Sequence, residues 1–526
     1  MKFWVTKIAK TLYLQMMKKY RFYLYVLITT LVITLIVGLS PTISQPILLE
    51  QKIQTLTGER WLQHVEEDLN PWWLMETAFG KPVGNFPSLR CDNGELLDLS
   101  QPCPIFKDLE DEDNWIKNYF NKKHIVAHSR QIYTYGVAYQ LTGNPKFLSL
   151  AKSGLDWIRK YGFDRENGGV FTVFSEDNLT PLSSVSERNS QELAYALQGM
   201  AFYYYLTQDE EVLPDIIKLK DFIFENYYDS EQDIILQLPK NPQNQESKKQ
   251  RKGIVYELDQ MNTYLMLLAP ILPEPYQSQW KKDLVHISRI LMNQFYSPEY
   301  NNFWYYIDNA EDKKILTGKT DYGHSIKTLW MIYLTGKLVN NERFITFART
   351  SADKLFKEAY DSESGTWYSR LYADKNKKLI KDLNKSWWIY AELDQVAGTL
   401  SLENSSYVDK YLKSTVNWWF KNMVDHTNHG IWHKVIWPTL EKKGFKQWKW
   451  KNGFHSYEHA LVGYITTQAT QGEKVKLYFA RKEGKEKKGI RPYYNTGKIE
   501  KINKKPLQSI PEMNKIEVTF TEINYK

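Results

Sequence analysis

The feature that most constrains this chain is a long series of helical runs joined alternately by short and long connections. Within each run apolar residues recur at helical spacing, as Ile326, Leu329 and Trp330 do. The short connections are tight turns such as 142–145 (TGNP), and the long ones, such as 161–185, are rich in Gly, Asn, Asp and aromatic residues. The runs lie at 47–76, 112–141, 146–160, 187–207, 212–228, 255–271, 276–296, 320–338, 341–358, 384–402, 405–424 and 452–470.

These twelve runs pair into six hairpins, which predicts one closed architecture instead of several domains. Hairpins of this period bury one continuous core, with alternate helices forming an inner ring. We therefore predict an all-α fold, an (α/α)6 barrel, over 47–472. The segment 473–526 is predicted to be a β-rich C-terminal tail of short strands, because two alternating apolar runs flank a stretch of Lys, Gly and Pro.

The N-terminus carries a targeting signal. A basic segment, 1–21, precedes an uncharged stretch over 22–40 that is just long enough to span a bilayer as a helix. The positive flank would stay in the cytoplasm. The sequence therefore predicts a single-pass membrane protein with an uncleaved transmembrane anchor and an extracytoplasmic catalytic domain, periplasmic or at the cell surface. A cleavable signal peptide is the alternative, although SPTIS at the end of the stretch is a poor cleavage site.

The composition is that of a globular protein with many aromatic residues. Phe, Trp and Tyr make up 15% of the chain, which suits a large helical core and also suits sugar binding, where apolar ring faces stack on Trp and Tyr. The net charge of +8 is mild and the basic residues are spread along the chain. Since no nucleic-acid module accompanies them, we predict no nucleic-acid partner.

The chain has two cysteines, Cys91 and Cys103, which bracket one short loop. An oxidising compartment would let them close this loop as a disulfide, and two free thiols are the alternative.

Polar residues recur once per hairpin on the alternate helices. They are separated by steps of 62, 70, 62, 68 and 63 residues. Polar groups placed once per repeat on inner helices would converge on the barrel axis. This spacing therefore predicts a concave, mostly apolar pocket with a few polar groups directed into it. The residues are Arg130, Glu192, Asn262, His324, Glu392 and His455.

Several short motifs accompany these positions, namely 129–133 (SRQIY), 138–143 (AYQLTG), 261–264 (MNTY), 322–324 (YGH), 387–392 (WWIYAE) and 454–455 (FH). In this order and spacing they resemble the N-acylglucosamine 2-epimerase family, which includes cellobiose 2-epimerases and mannose isomerases. The resemblance runs from about Trp115 to Thr470.

The resemblance implies an enzyme that epimerises or isomerises a reducing mono- or oligosaccharide at C2, with no metal or redox cofactor. The sugar ring opens, a base removes the proton beside the carbonyl, and an enediolate is reprotonated. The resemblance implies that His324 and His455 form the acid/base pair and that Arg130 clamps the carbonyl. It also implies substrate contacts at Glu192, Asn262, Trp388 and Glu392, with Trp388 as a stacking platform and Glu392 binding a sugar hydroxyl or orienting a histidine.

Two positions depart from the family pattern. Lys327 stands where members usually carry a Glu one turn after the first His, and a Lys cannot accept the imidazole N–H. It could instead act as an electrophile or bind an acidic sugar. Tyr264 stands where a His is common, and a phenol can donate a hydrogen bond to the substrate but is a poor base at neutral pH.

Two other functions stay open from the sequence. One is a glycoside hydrolase or lyase on the same barrel, and the other is a carbohydrate-binding envelope protein that has lost its base. Inverting hydrolysis needs two carboxylates across a pocket. The pairs Glu257/Asp259 and Glu392/Asp394 are i,i+2 neighbours on one helix and so point apart.

The histidines of one long loop bear on whether the protein binds a metal. The spacing of His426, His429 and His433 matches no compact zinc signature, so no metal site is predicted. The sequence leaves a homodimer open.

Overall fold

The computed structural model describes residues 56–104, 114–176, 179–240 and 250–524. The chain divides into two units, 1–54 and 55–526. The predicted basic segment 1–21, the predicted anchor 22–40 and the first residues of the predicted barrel therefore lie outside the described residues.

The membrane prediction is corrected. Among the residues that the structure describes, no helix combines the length and the apolar character needed to cross a bilayer. This finding contradicts the sequence prediction of a single-pass membrane protein with an extracytoplasmic catalytic domain.

Six helical segments form an inner ring. Each contacts the next along the chain, and the last contacts the first, so that the ring closes. Their residues are buried on nearly all sides, as expected for helices that are apolar all round. The segments are Ile125–Thr142, Ser190–Thr207, Ile254–Gln260 (continued by a π-helical turn, Met261–Leu265, and Met266–Leu268), Tyr322–Val339, Trp387–Ser401 and Phe454–Thr470.

Six outer segments pack against this ring. They are amphipathic, and Glu342–Ala359 for example buries Phe344, Ala348 and Leu355 while its opposite face is solvated. The outer segments are Gly58–Gln63 (continued by His64–Leu69 and Asn70–Trp73), Pro145–Trp157 (continued by Ile158–Gly162), Leu213–Tyr227, Tyr276–Ile290 (continued by Leu291–Phe295), Glu342–Ala359, and Val408–Leu412 (continued by Lys413–Asn422). These twelve segments of the described chain confirm the helical barrel predicted from the sequence.

The long connections contain short antiparallel strands and isolated helical turns. The strand pairs are Lys122–His124 with Val173–Ser175, Tyr228–Asp229 with Ile234–Ile235, Tyr296–Ser297 with Asn302–Phe303, Tyr360–Asp361 with Thr366–Trp367, and Leu371–Ala373 with Leu379–Lys381, beside one three-stranded sheet of Lys385–Ser386, Lys434–Ile436 and Glu441–Lys443. The helical turns are Glu76–Phe79, Asn114–Tyr119, Val185–Glu187 and Glu311–Lys313.

One helix begins later than predicted. The run at 112–141 was predicted to be continuous, but the helix begins at Ile125. Asn121 adopts a left-handed conformation with φ of 55°, and the backbone of Lys122–His124 then pairs with Val173–Ser175. Ladder hydrogen bonds and a left-handed residue are incompatible with a continuous helix at this point.

The C-terminal segment forms a three-stranded antiparallel sheet where the sequence predicted short strands. Its strands are Val475–Arg481, Thr496–Pro506 and Asn514–Asn524, and the last strand lies in the middle. The first strand packs on the inner helices Ile125–Thr142 and Ser190–Thr207. The sheet and the barrel helices share one hydrophobic core. The domain boundary at 472 stays a prediction.

Candidate active site

A cavity of about 340 Å³ lies at the N-terminal ends of the inner helices. Its wall combines cationic, carboxylate and imidazole side chains with several aromatic rings. The lining residues are Arg130, Gln191, Tyr195, Asp259, Tyr305, His324, Lys327, Trp387, Trp388, His433, Trp448, Trp450 and His455. Helix N-termini carry partial positive charge, so this end of the barrel favours an anion.

His324 is fixed by the cap of its own helix. The Asp321 carboxylate accepts the backbone N–H of His324 through Oδ1 at 2.7 Å and contacts His324 Nδ1 through Oδ2 at 2.7 Å. Burial would raise the Asp321 pKa, but the charge and hydrogen bonds of His324 outweigh burial and hold that pKa below its ordinary value. An ionised Asp321 keeps the proton on Nδ1, which leaves Nε2 as the free ring nitrogen of His324.

His455 is oriented in the same way by a carboxylate from another helix. Its Nδ1 lies 2.9 Å from Oε1 of Glu392, which also accepts a hydrogen bond from Lys327 Nζ at 2.8 Å. All three side chains are buried. Burial lowers the pKa of His455 to about 3, and the charge of Lys327 acts in the same direction, whereas the hydrogen bond to Glu392 opposes it. His455 is therefore a neutral imidazole near pH 7.

The electrostatics of Glu392 and Lys327 follow from their pairing. Burial alone would raise the pKa of Glu392, but the Lys327 charge and the His455 hydrogen bond lower it. Burial alone would lower the pKa of Lys327, but the Glu392 charge raises it. The two groups form a buried ion pair at the base of the cavity.

Arg130 reaches the cavity from the first inner helix. Its Nη1 donates to the Trp450 carbonyl at 2.5 Å, and its guanidinium lies 3.9 Å from the ring centre of Tyr195. Its Nε is buried and has no hydrogen-bond partner among the described residues. Arg130 is thus held in place while keeping donor capacity.

Asp259 forms a second polar wall. Its carboxylate accepts hydrogen bonds from Gln191 Nε2 at 2.8 Å, Tyr195 OH at 3.0 Å and Asn262 Nδ2 at 2.7 Å. Three donors to one buried carboxylate make this wall rigid, and its amide and phenol groups suit the hydroxyl groups of a sugar.

The Trp388 ring contacts both histidines. Its centre lies 4.6 Å from that of His324 and 6.0 Å from that of His455. Gly323 permits this approach, because a Cβ at Gly323 would lie 2.5 Å from Cζ3 of Trp388.

Comparison with known proteins identifies the family of this chain. The model of the N-acylglucosamine 2-epimerase (GlcNAc 2-epimerase) family matches residues 106–458, more than half of the chain. The chain belongs to this family. The cellobiose 2-epimerase of Ruminococcus albus is 21% identical over 349 residues, which cover 64% of this chain and 85% of that enzyme.

Solved structures of epimerases and isomerases share the fold. The cellobiose 2-epimerase from Spirochaeta thermophila has a TM-score of 0.63 at 18% identity, covering 80% of this chain and 99% of that one. A D-mannose isomerase has a TM-score of 0.61 at 14% identity, covering 79% of this chain and 99% of that one. At this level of identity the likeness shows the shared barrel fold.

Three residues that the family resemblance implies as substrate contacts instead contact other side chains of the protein. Glu192 forms an ion pair with Lys449 at 2.5 Å. Asn262 supports Asp259 from behind. Tyr264 donates to Gln260 and packs on Trp280, because the π-helical turn directs it into the helix packing. None of the three is among the residues that line the cavity.

The Lys that replaces the family Glu is the clearest departure from the pattern. Lys327 lines the cavity but is neutralised by Glu392. The interpretation of Lys327 as a free cation for an acidic sugar is therefore not favoured. Oε1 of Glu392 contacts both His455 and Lys327, a position that is compatible with the histidine-orienting role, one of the two roles that the resemblance implies for Glu392.

The two members of each carboxylate pair weighed for a hydrolase point in different directions. Asp259 lines the cavity, whereas Glu257 is turned away and accepts the Ile235 N–H. Asp394 likewise turns outward and accepts hydrogen bonds from Trp367 and Thr415.

The loop histidines His426 and His433 lie in different environments. His433 lines the cavity, while His426 contacts the Phe420 carbonyl and lies well exposed. Among the described residues, ligand atoms of Glu392, His455 and Glu458 lie within 4.8 Å of one another. The Lys327 ammonium bonded to Glu392 opposes a cation there, so we assign no metal to this group.

Sequence reasoning missed several functional side chains. Asp321 had a readable signal, since an Asp three residues before a His at a helix start is a cap that can reach the ring. Trp448 and Trp450 lie in a long loop, and only the tertiary fold brings them to the cavity. The support of this loop is equally distant in sequence, because Arg90 donates to Gln447 at 2.6 Å.

Proposed function

We propose that the protein is a sugar epimerase or isomerase that acts at C2 of a reducing sugar by proton transfer. The observation that carries this proposal is the pair of histidines in one cavity, each with Nδ1 held by a carboxylate and each in contact with Trp388. Two bases that approach one carbon from different sides are what inversion at that carbon requires.

In the proposed reaction the sugar ring opens and the aldehyde lies against Arg130. One histidine takes the C2 proton through Nε2, and the electron pair moves toward the carbonyl oxygen to give an enediolate. The guanidinium and the helix N-termini stabilise the negative charge that forms there. The second histidine, which carries a proton when the step begins, gives that proton to the opposite face of C2. In an isomerisation the first histidine instead returns the abstracted proton to C1.

His455 is suited to this role because its protonated form is unstable in the empty cavity. Its lowered pKa keeps it neutral and able to accept a proton. Once His455 has taken the proton, the negative charge of the enediolate stabilises its imidazolium, together with the Glu392 carboxylate at Nδ1. The charge of the enediolate is present only while the intermediate exists. The cavity thus favours the charged state of His455 at the intermediate and not before it.

The substrate is expected to be an uncharged reducing sugar. Two lysines at the site are paired with carboxylates, Lys327 with Glu392 and Lys449 with Glu192. The Arg130 guanidinium has no carboxylate partner among the described residues and is assigned to the carbonyl oxygen of the sugar. Trp388, Trp448 and Trp450 supply apolar faces for sugar rings. Cellobiose and D-mannose, the sugars named for the relatives, are the first candidates, and the absence of a cofactor and the homodimer remain predictions.

The test is loss of the C2 proton signal in D₂O, followed by NMR for each sugar and its epimer. We expect exchange and conversion with the wild type. His324→Gln should lose exchange from one epimer and keep it from the other, and His455→Gln should show the reverse. Conversion should stop in both variants.

His426→Gln is the matched control, because this histidine lies outside the cavity and should leave both rates unchanged. No exchange from any reducing sugar would refute the proposal. Release of new reducing ends from an oligosaccharide would support a hydrolase, and sugar binding with neither signal would support a binding protein.

A further inference from the structure

The C-terminal sheet reaches the site although it lies beyond the part of the chain that matches the family model, 106–458. The connection between its first two strands, 482–495, contains Tyr493 and Tyr494 near its end. Both side chains are buried. Their rings stack with centres 3.9 Å apart. The Tyr494 hydroxyl donates to the Asn262 carbonyl at 3.0 Å, and the Tyr493 backbone N–H donates to the Tyr205 hydroxyl at 2.9 Å.

The backbone of Tyr493 is strained. Its φ is 57°, in the left-handed region that a residue with a bulky side chain rarely adopts. Such strain persists only where surrounding contacts impose it, and it is concentrated at functional sites. Here the conformation brings the phenol of Tyr493 to within 2.6 Å of Oε1 of Glu458, to which it donates.

Glu458 lies one helical turn after His455, beneath the cavity. Its Oε2 is buried, as is Oε2 of Glu392, and neither oxygen has a hydrogen-bond partner among the described residues. The two carboxyl groups and the His455 ring approach one another within 4.8 Å. Two carboxylates this close in a dry site cannot both be ionised at low cost.

The groups around Glu458 decide which carboxyl keeps the proton. Lys327 is bonded directly to Glu392, so Glu392 is the ionised member. Burial, and then the Glu392 charge, raise the pKa of Glu458 to about 8, while Lys327, Tyr493 and Gln395 act in the opposite direction. The other titratable groups facing this set are Tyr133, Tyr195, Asp259, His455 and Tyr494.

We propose that the C-terminal sheet is a working part of the site, in which Tyr493 is a positioning residue that holds the Glu458 carboxyl group beside Glu392. Tyr493 occupies Oε1 and leaves Oε2 to carry the proton. Because Glu392 is ionised, the protonation of Glu458 determines whether one or two negative charges lie beside His455 and Lys327. This inference rests on the proposed proton-transfer function of the same cavity.

The consequence is a rate that depends on the protonation of Glu458. When Glu458 ionises, a second carboxylate beneath the cavity opposes the negative charge of the enediolate, so kcat should fall above about pH 8. Tyr493→Phe removes a hydrogen bond that favours the ionised form. The Glu458 pKa should then rise, and the alkaline decline of kcat should move up by roughly one pH unit.

The experiment compares pH profiles of kcat for C2 exchange in the full chain. Tyr494→Phe is the control, since it removes one phenol from the same connection without touching the hydrogen bond to Glu458. It should leave the profile in place. Glu458→Gln, which mimics the neutral acid, should abolish the alkaline decline.

A second readout needs no sugar. Infrared difference spectra between the wild type and Glu458→Gln should show the carbonyl stretch of a protonated acid at pH 7, which disappears above about pH 8. Absence of that band would overturn the inference even if exchange occurs. Superimposable profiles for Tyr493→Phe and Tyr494→Phe would also overturn it. A wild type without exchange but with the band would instead refute the proposed function alone.

Discussion

Lys327→Met tests the electrostatic account of the site. The ammonium and the Glu392 carboxylate are 2.8 Å apart and almost completely buried. With an effective dielectric constant near 20 their attraction is about 6 kcal/mol. Part of this attraction offsets the desolvation of the two charges, and removing one partner of a buried pair typically costs about 3–5 kcal/mol. We therefore expect Lys327→Met to lower the free energy of unfolding by about 3–5 kcal/mol at pH 7.

The pH dependence of this loss has a definite sign. In the wild type the Glu392 pKa lies below its ordinary value, so its contribution to stability is full above the pKa of the unfolded chain and is lost as the pH falls through the folded pKa. Without Lys327 burial dominates and the folded pKa of Glu392 rises. The folded variant then gains a proton as the pH falls, so its deficit relative to the wild type should shrink between pH 8 and pH 5.

The assay is guanidinium unfolding at several pH values, with Lys337→Met as the control. Lys337 lies on the same helix as Lys327 and forms an ion pair of 2.9 Å with Glu403, but both groups of this pair are partly exposed. Its loss should cost less than about 1 kcal/mol. Lys327→Glu restores the residue common in the family but adds an anion beside Glu392, so it should be less stable than Lys327→Met. A Lys327→Met deficit that matches the control, or one that does not change with pH, would refute the reasoning.

Three further predictions concern the cavity wall. Gly323→Ala should push the Trp388 ring away from the helix and raise KM for the sugar, measured by the same exchange assay, with little change in helix content by circular dichroism. Asp321→Asn should leave His324 without its ionised acceptor and lower kcat by up to roughly a hundredfold, while KM changes little. Cys103→Ser should open the cystine and weaken sugar binding by titration calorimetry, and unchanged affinity would show that the loop packs without it.

The cystine prediction follows from how the loop is held. The Cys91–Cys103 bond closes the loop next to Arg90 and Asp92, and the Asp92 carboxylate accepts the Lys446 N–H at 2.9 Å. Cys103 itself packs against the cluster that contains Trp448. The sequence predicted that the cysteines could pair, but not that their loop would support the cavity wall, because the partner residues lie more than three hundred positions away.

The barrel could be predicted because its determinants are local and repeated. The turn at 142–145 shows this well: Gly143 ends one helix with φ of 65°, and Asn144 caps the next by accepting the Lys146 N–H. The site was predicted less completely because regular spacing places residues near the axis but does not fix which face they occupy. Asn262 and Tyr264 show the limit, since a π-helical turn rotates both relative to an ideal helix.

The position at 327 shows why a single departure from a family pattern is weak evidence for lost function. Taken alone, a Lys in place of a carboxylate removes an acceptor from a histidine. In the fold, His324 takes its acceptor from Asp321 instead, and the Lys balances a carboxylate that serves His455. The same cation also lies near Glu458, where its charge favours the ionised carboxylate and so opposes burial and the Glu392 charge. The charges of the site therefore have to be judged as one set.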